Sequence, residues 1–198
     1  MRLSRVESKE RTRQSLLDAA ELLFAAQGPS VSLEEISEAA GLSTGAVYSN
    51  FGSKRALIAS VFERMTEAQL QRIEDAVRPE YDLRQTLSVI TNCWAQVGDE
   101  QVIAEARMEL QVMLWALEEP ELAPELGVGL AKLDERMTGL LTDRLVAAGR
   151  RTTVQDASRL LIHLRALVGY HATAAVFREP LPDLAGLGAE LWRLVDQS

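Results

Sequence analysis

The sequence predicts an all-α protein of about nine helices, and three observations lead to this fold class. Apolar residues recur at i, i+3, i+4 and i+7 through most of the chain, which is the spacing of one helix face. All six prolines lie between these periodic stretches. No segment alternates apolar and polar residues in the way that a half-buried strand does.

The predicted N-terminal helices have recognisable starts and stops. Gly28 ends the first helix, and Ser32 begins the second in a capping box with Glu35. Gly41 suits the left-handed position that closes the second helix. The expected N-caps of the next two helices are Ser43 and Ser53. These four helices are expected at residues 9–27, 33–40, 44–51 and 54–78.

Further helices are expected after Pro79, where the residue pattern changes. Three glycines are expected to bend or break one of them, namely Gly127, Gly129 and Gly139. Another contains the run LLIHLRALVGYHA, which is apolar on almost every side and predicts burial on more than one side. The expected ranges are 82–98, 101–118, 121–148, 153–178 and 183–196.

The composition fits a globular protein of 198 residues, with 47% hydrophobic and 25% charged residues. Cys93 is the single cysteine, so it cannot form an intrachain disulfide, and this favours a reducing cytoplasm. The first residues lack the apolar core of a secretory signal, and no apolar run approaches the ~20 residues of a membrane span. We therefore expect a cytoplasmic protein without a membrane partner.

Charge is distributed unevenly along the chain, whose formal net charge is −8. Residues 1–13 carry +3, which leaves −11 on the rest. This pattern predicts a basic N-terminal arm that meets an anion and an acidic body that does not. The basic residues of the arm are Arg2, Arg5, Lys9, Arg11 and Arg13.

Residues 44–51, TGAVYSNF, form the second helix of a predicted helix-turn-helix. At 100° per residue, Val47 and Phe51 point inward, while Gly45 and Tyr48 point outward. An outward face of small and hydroxyl-bearing residues suits a phosphate-lined groove. Gly45 would let the backbone approach closely, and the Tyr48 hydroxyl could donate to a phosphate oxygen.

The residues around this helix predict a DNA-binding surface. Lys54 would add an ammonium group beside helix-terminal N–H groups, which also favour an anion. The candidate DNA-binding residues are Arg13, Ser32, Ser43, Thr44, Gly45, Tyr48, Ser49 and Lys54.

Residues 13–58 resemble the DNA-binding domain of TetR-family transcriptional regulators. The matching positions include an Ile-x-x-x-Ala-Gly turn, a Gly-x-x-Tyr-x-x-Phe helix and a Ser-Lys-x-x-Leu start of the next helix. The residues that carry the match are Phe24, Gly28, Ile36, Ala40, Gly41, Gly45, Tyr48, Phe51, Ser53, Lys54 and Leu57. The chain departs from the pattern at three positions. Ser37 stands where the family usually has Ala, Asn50 stands where His is common, and Arg55 replaces a frequent acidic residue.

The resemblance implies a domain organisation and a mode of action. Residues 1–53 would be the DNA-binding domain with its basic arm, linked through helix 54–78 to a ligand-sensing and dimerisation domain at 79–198. Helices 153–178 and 183–196 would pair with their counterparts in a homodimer. A small apolar or amphipathic ligand within the C-terminal helices would release a repressor from a palindromic DNA operator.

Aromatic and methionine side chains are the candidates for lining such a pocket, because they form adaptable apolar cavities. These candidates are Trp94, Met108, Trp115 and Tyr170. An alternative is a helix-turn-helix protein with a filled C-terminal core, controlled by a protein partner or acting constitutively. The two readings differ in whether a small molecule alters DNA binding.

Catalytic and metal sites are not expected. His163 and His171 are eight residues apart, which is too far for the close ligand spacing of a metal site. No nucleophile–base pair or glycine-rich phosphate loop is evident, so we expect no enzyme activity and no cofactor.

Overall fold

The computed structural model describes residues 4–28, 31–95, 99–146, 149–180 and 183–196, and these form an all-α fold. The described residues contain one isolated antiparallel bridge, between Leu145 and Arg151, and otherwise only helices and turns. The predicted fold class is confirmed. Within these ranges the chain forms ten helices, namely α1 (Arg5–Gln27), α2 (Leu33–Ala39), α3 (Thr44–Phe51), α4 (Lys54–Ala76), α5 (Leu83–Ala95), α6 (Asp99–Glu118), α7 (Leu122–Leu141), α8 (Val154–Phe177), α9 (Leu184–Glu190) and α10 (Arg193–Asp196).

Helix α1 begins earlier than expected, and most of the predicted basic arm belongs to it. Ser4 is the N-cap: its hydroxyl accepts from the Glu7 backbone N–H at 3.2 Å, and Glu7 accepts from the Ser4 N–H at 2.7 Å. This capping box satisfies two donors at the helix start, so the helix extends through the basic segment. Residues 1–3, including Arg2, lie outside the described residues.

Helix α7 passes through the three glycines that were expected to break it and ends at Leu141 rather than near residue 148. Thr152 explains the end, because its hydroxyl donates to the Leu141 carbonyl at 2.6 Å and accepts from the Arg144 N–H at 2.8 Å. Pro124 lies in the first turn of α7, close to the start of the expected range 121–148, where a missing N–H is tolerated.

The expected single helix at 183–196 is divided into α9 and α10. Around the division, Leu191 N–H donates to Gly188 O at 3.1 Å and Leu194 N–H donates to Leu191 O at 3.0 Å. These bonds span three residues rather than four, so the backbone tightens and the α-helical ladder is interrupted.

The chain divides into two compact units. The first comprises residues 1–65 and 107–129, and the second comprises 66–106 and 130–198. The assignment of separate DNA-binding and ligand-sensing functions to 1–53 and 79–198 stays a prediction.

The core of the first unit draws on two distant parts of the sequence. Phe24, fully buried in α1, meets Trp115 of α6 edge to face, with ring centroids 5.6 Å apart and planes at 75°. Aromatic pairs favour this arrangement because the positive ring edge meets the negative face. Further buried members of the same cluster are Leu16, Leu17, Ala20, Ile36, Val47, Leu57, Val61, Met108, Val112, Leu122 and Leu126.

The second unit is held by a buried cluster and by ion pairs. Arg136 of α7 donates to both carboxylate oxygens of Glu67 at 2.7 Å and pairs with Glu74, so it fixes α7 against α4. The two carboxylates hydrogen-bonded to Arg136 raise the pKa of its guanidinium. The buried cluster consists mainly of Leu70, Ile73, Leu83, Leu87, Ile90, Met137, Leu141, Leu160 and Leu164.

Helix α8 was not expected to resemble a membrane span, but its length and composition satisfy that description. It has 24 residues and a mean hydropathy of 1.4 over its most apolar window, of which 33% is buried. An interior or interface helix of a helical bundle has the same composition. The exposed apolar side chains of α8 include Val154, Ile162, Tyr170 and Phe177.

Helix α9 packs closely on α5 at one glycine. A Cβ placed on Gly188 would lie 2.3 Å from both Cγ2 and Oγ1 of Thr91, which is fully buried. Real Cβ atoms do not approach other atoms this closely, so a side chain here would force the two helices apart.

We expect Gly188→Ala to lower the free energy of unfolding by about 1–3 kcal/mol, because the added methyl overpacks the contact with Thr91. The matched control is Gly139→Ala in α7, where an added Cβ meets nothing within 4 Å. That control should be neutral or stabilising by up to ~1 kcal/mol. Urea unfolding followed by circular dichroism measures both, and equal effects of the two substitutions would contradict the close contact.

Candidate nucleic-acid interface

Helices α2 and α3 are joined by a tight turn built on Gly41. Its φ of 66° lies in the left-handed region, which favours glycine. The Leu42 N–H donates to Ser37 O at 2.8 Å and the Gly41 N–H donates to Glu38 O at 2.9 Å, which closes α2. Leu42 is partly buried against the core of the first unit and anchors the turn.

The burial pattern of α3 agrees with the faces expected from helical periodicity. Val47 is fully buried, and Ala46 and Phe51 pack against the same core. On the opposite side, Gly45 is exposed and Tyr48 has 56% of its surface accessible. The inner face therefore holds α3 on its unit, and the outer face is available to solvent.

Gly45 has no structural requirement inside the protein. A Cβ at this position would meet only the Ser43 Oγ, at an ordinary 3.7 Å, and the residue does not have a positive φ. Glycine within a helix is less favourable than alanine by roughly 0.5–1 kcal/mol. Packing within the protein therefore does not require glycine at this position.

The candidate hydroxyl groups differ in how far the protein already uses them. Ser43 is exposed and makes no capping hydrogen bond to α3, contrary to the expected role as a side-chain cap. Ser49 is exposed and donates to Ala46 O at 3.1 Å. Ser32 belongs to the confirmed capping box, because it accepts from the Glu35 N–H at 3.1 Å and donates to the Glu35 carboxylate at 2.7 Å.

Thr44 is connected to one of the positions that depart from the family pattern. Its Oγ1 lies 3.2 Å from the Ser37 Oγ, which itself donates to Glu34 O at 2.9 Å. Because the Ser37 hydroxyl has one proton, Thr44 is the donor in their contact. Ser37 thus adds a polar link between α2 and α3 that alanine would lack.

Lys54 is the first residue of α4, and the hydroxyl of Ser53 accepts from the Ala56 N–H at 3.1 Å to cap this helix. The hydrogen bond from the Ser32 backbone N–H lowers the pKa of Glu35. The hydrogen bond from the Ser32 hydroxyl and, more weakly, the positive charge of Lys54 lower it further. The start of α4 therefore presents a cation and helix-terminal N–H groups together, an arrangement that favours anions.

Arg13, proposed from sequence as a DNA contact, is engaged inside the first unit. Its guanidinium donates to Asn50 O and to the Ser60 Oγ, both at 3.2 Å. It also lies over the Phe51 ring, 4.4 Å from the centroid. These contacts fix the C-terminal end of α3, so the structure gives Arg13 a supporting role.

Arg55 has carboxylate partners that sequence reasoning did not identify. Its Nη1 lies 2.5 Å from Glu121 Oε2 and 3.8 Å from Glu119 Oε2. The hydrogen bond that Arg55 donates to the Glu121 carboxylate raises the pKa of its guanidinium. The sequence did contain one signal for these partners, because Arg55 is basic where the family usually has an acidic residue. Such a reversal of charge suggests an acidic partner elsewhere in the chain.

The four candidate pocket residues occupy different environments. Met108 and Trp115 are buried in the core of the first unit. Trp94 is partly buried against the core of the second unit, and the Tyr170 side chain is exposed. The first unit also has a cleft of about 320 Å³, lined by Lys54, Arg55, Ile58, Trp115, Glu118, Glu119 and Leu122.

The described residues contain no group of three or more His, Cys, Asp or Glu side chains placed to hold a metal ion. His163 Nδ1 lies 2.7 Å from Arg159 O on an exposed part of α8. Cys93 is partly buried, and this burial raises the pKa of its thiol.

The fold and the geometry of α2 and α3 define a helix-turn-helix protein whose second helix exposes a small, hydroxyl-bearing face. Residues 16–61 match the model of the tetR family of bacterial regulatory proteins. This match assigns the N-terminal segment that contains α2 and α3 to the TetR family of transcriptional regulators.

Individual relatives agree with this assignment. The chain is similar to the HTH-type transcriptional regulator AcrR of Shigella flexneri, with 33% identity over 115 residues, which are 58% of this chain. The match spans about half, 52%, of that relative.

Solved structures share the fold. A transcriptional regulator from Streptomyces coelicolor A3(2) has a TM-score of 0.73 and 17% identity, covering 95% of this chain and 99% of its own. The regulator FadR from Bacillus subtilis, solved with stearoyl-CoA, has a TM-score of 0.69 and 18% identity, covering 92% and 96%.

We expect Arg13→Gln to lower the free energy of unfolding by about 1–2 kcal/mol, because it removes two charge-assisted hydrogen bonds and a cation–π contact. Arg11→Gln, an exposed residue of the same helix, removes the same charge and should change stability by less than ~0.5 kcal/mol. Thermal and urea unfolding measure both variants. Equal stability of the two proteins would refute the supporting role of Arg13.

Proposed function

We propose that the protein is a homodimeric transcriptional repressor that binds a near-palindromic operator through α3. The observation that carries the proposal is Gly45, an exposed glycine that no internal contact requires, beside the exposed phenol of Tyr48. A missing side chain lets the helix backbone approach a phosphate or base edge closely, and the adjacent phenol supplies a donor.

The surrounding residues receive distinct roles. Tyr48 and Lys54 would donate to phosphates and so position α3 without reading sequence. Ser43, Thr44 and Ser49 would reach base edges or backbone from the outer face of α3. Ser32 and Arg13 would act through the capping box of α2 and the contact with Asn50 and Phe51 respectively.

Dimerisation through α8 and the α9–α10 segment is proposed from their apolar surfaces. Three exposed α8 residues, Ile162, Tyr170 and Phe177, are spaced by eight and seven positions and lie on one side of the helix, and Val154 lies on an adjoining side. Leu187 and Leu194 add exposed apolar surface on the last helices. Pairing would cover this surface and would place two copies of α3 on one operator, which multiplies affinity.

A small-molecule effector is the remaining part of the proposal. The indole Nε1 of Trp94 is buried and has no hydrogen-bond partner among the described residues. A buried donor of this kind is costly unless something accepts from it. The unpaired indole N–H therefore supports an amphipathic effector that carries an acceptor group. Stearoyl-CoA, bound in the structure of FadR, is an amphipathic ligand of a protein with this fold.

The test is selection of fragments from the source genome by the purified protein, with a Tyr48→Phe/Lys54→Ala variant as control. We expect recovery of a near-palindrome that the control does not enrich. If a folded wild-type dimer recovers nothing, even after denaturation and refolding to remove a bound ligand, DNA binding is contradicted. Small molecules related to the genes beside the recovered operator are then added to the protein–operator complex. Release of the protein supports the effector-controlled repressor, and no release supports the constitutive alternative.

We expect Gly45→Ala to weaken operator binding at least ~10-fold, because a methyl group would occupy the space needed for close approach. The same substitution should leave stability unchanged or raise it by up to ~1 kcal/mol, since the protein has room for the methyl. Fluorescence anisotropy with labelled operator and urea unfolding measure the two effects. Full operator affinity in the variant would refute the close approach.

A further inference from the structure

Two consecutive cations begin α4, and the second of them, Arg55, is paired with carboxylates that follow α6. Arg55 contacts Glu121 at 2.5 Å and Glu119 at 3.8 Å, with 40% of its own side chain exposed. Glu121 and Glu119 follow directly on α6, which ends at Glu118. The three residues and Lys54 belong to the same compact unit.

This ion pair is poorly suited to stabilising the fold. The Glu121 and Glu119 side chains are 79% and 55% exposed. Exposed pairs contribute only about 0–1 kcal/mol to stability, because water and salt screen them. Their exposure also means that the Arg55 guanidinium can exchange its partner without opening the core.

The position of Arg55 gives this exchange a consequence for DNA binding. Lys54, the preceding residue, is the proposed phosphate contact, and both residues lie in the first turn of α4. The adjacent cleft, lined by Lys54, Arg55, Glu118 and Glu119, brings carboxylates beside both cations. Phosphates approaching α4 would therefore compete with Glu121 and Glu119 for the same guanidinium, and the carboxylates themselves repel phosphate.

We propose that Arg55 is a further affinity-determining residue of the DNA-binding surface, and that Glu119 and Glu121 hold its charge back from the phosphates. The proposal rests on DNA binding as the function. It makes the acidic segment after α6 a restraint on affinity, and it explains why a cation stands where the family usually has an acidic residue.

The experiment measures operator affinity against salt concentration for Glu119→Gln/Glu121→Gln and the wild type. We expect the variant to bind about 3- to 10-fold more tightly near 0.1 M salt, because a guanidinium is released and two like charges are removed. The magnitude of the slope of log K against log salt should rise by about 0.9, the value for one additional phosphate contact.

Two controls separate release of Arg55 from a general charge effect. Glu125→Gln removes a carboxylate that acts on Arg55 only through its field, not through a hydrogen bond. It should leave the salt slope near the wild-type value. In an Arg55→Gln background, the gain from Glu119→Gln/Glu121→Gln should fall to the field effect of two carboxylates, about twice the free-energy gain of Glu125→Gln, because no guanidinium remains to be released.

The outcomes distinguish this inference from the proposed function. If the wild type binds the operator and Glu119→Gln/Glu121→Gln binds it equally or more weakly, the proposed restraint on Arg55 is wrong and the proposed function stands. An equal gain with and without Arg55 also overturns the restraint. If the wild type binds no operator at all, both proposals are wrong.

Discussion

The edge-to-face contact between Phe24 and Trp115 closes the core on which the helix-turn-helix depends. Phe24 is fully buried, and Trp115 covers it from a helix about 90 residues further along the chain. Val47 is buried in the same cluster, so this core fixes the position of the inner face of α3. Packing against the core does not determine which residues occupy the outer face, so these residues can serve binding.

The inner and outer residues of the candidate interface have different roles. Inner residues hold α3, capping groups define where the helices begin, and Arg13 fixes the last turn through the Asn50 carbonyl and the Phe51 ring. Gly45 and Tyr48 contribute little to any of these. Both residues are exposed, and the proposed function assigns them to contact with DNA.

Local signals in the sequence were sufficient for much of the fold and for the orientation of α3. Periodicity gave the helices, and the pattern around Ser32, Gly41 and Tyr48 gave the helix-turn-helix, because caps and turns depend on neighbouring residues. Contacts between distant residues could not be assigned from local patterns, and for Arg55 the sequence indicated at most that an acidic partner was needed. The Phe24–Trp115 pair, the partners of Arg55 and the end of α7 at Thr152 depend on which segments meet in three dimensions.

The composition of the first unit limits how this protein can be recombined with others of the same fold. Residues 107–129 are part of the same compact body as residues 1–65 and supply Met108, Val112, Trp115, Leu122 and Leu126 to its core. A chimera joined within α4 would separate Phe24 from its own covering residues and would pair it with a foreign helix. Transplanting the specificity of this protein thus means transferring two stretches of sequence, or only the outward residues of α3.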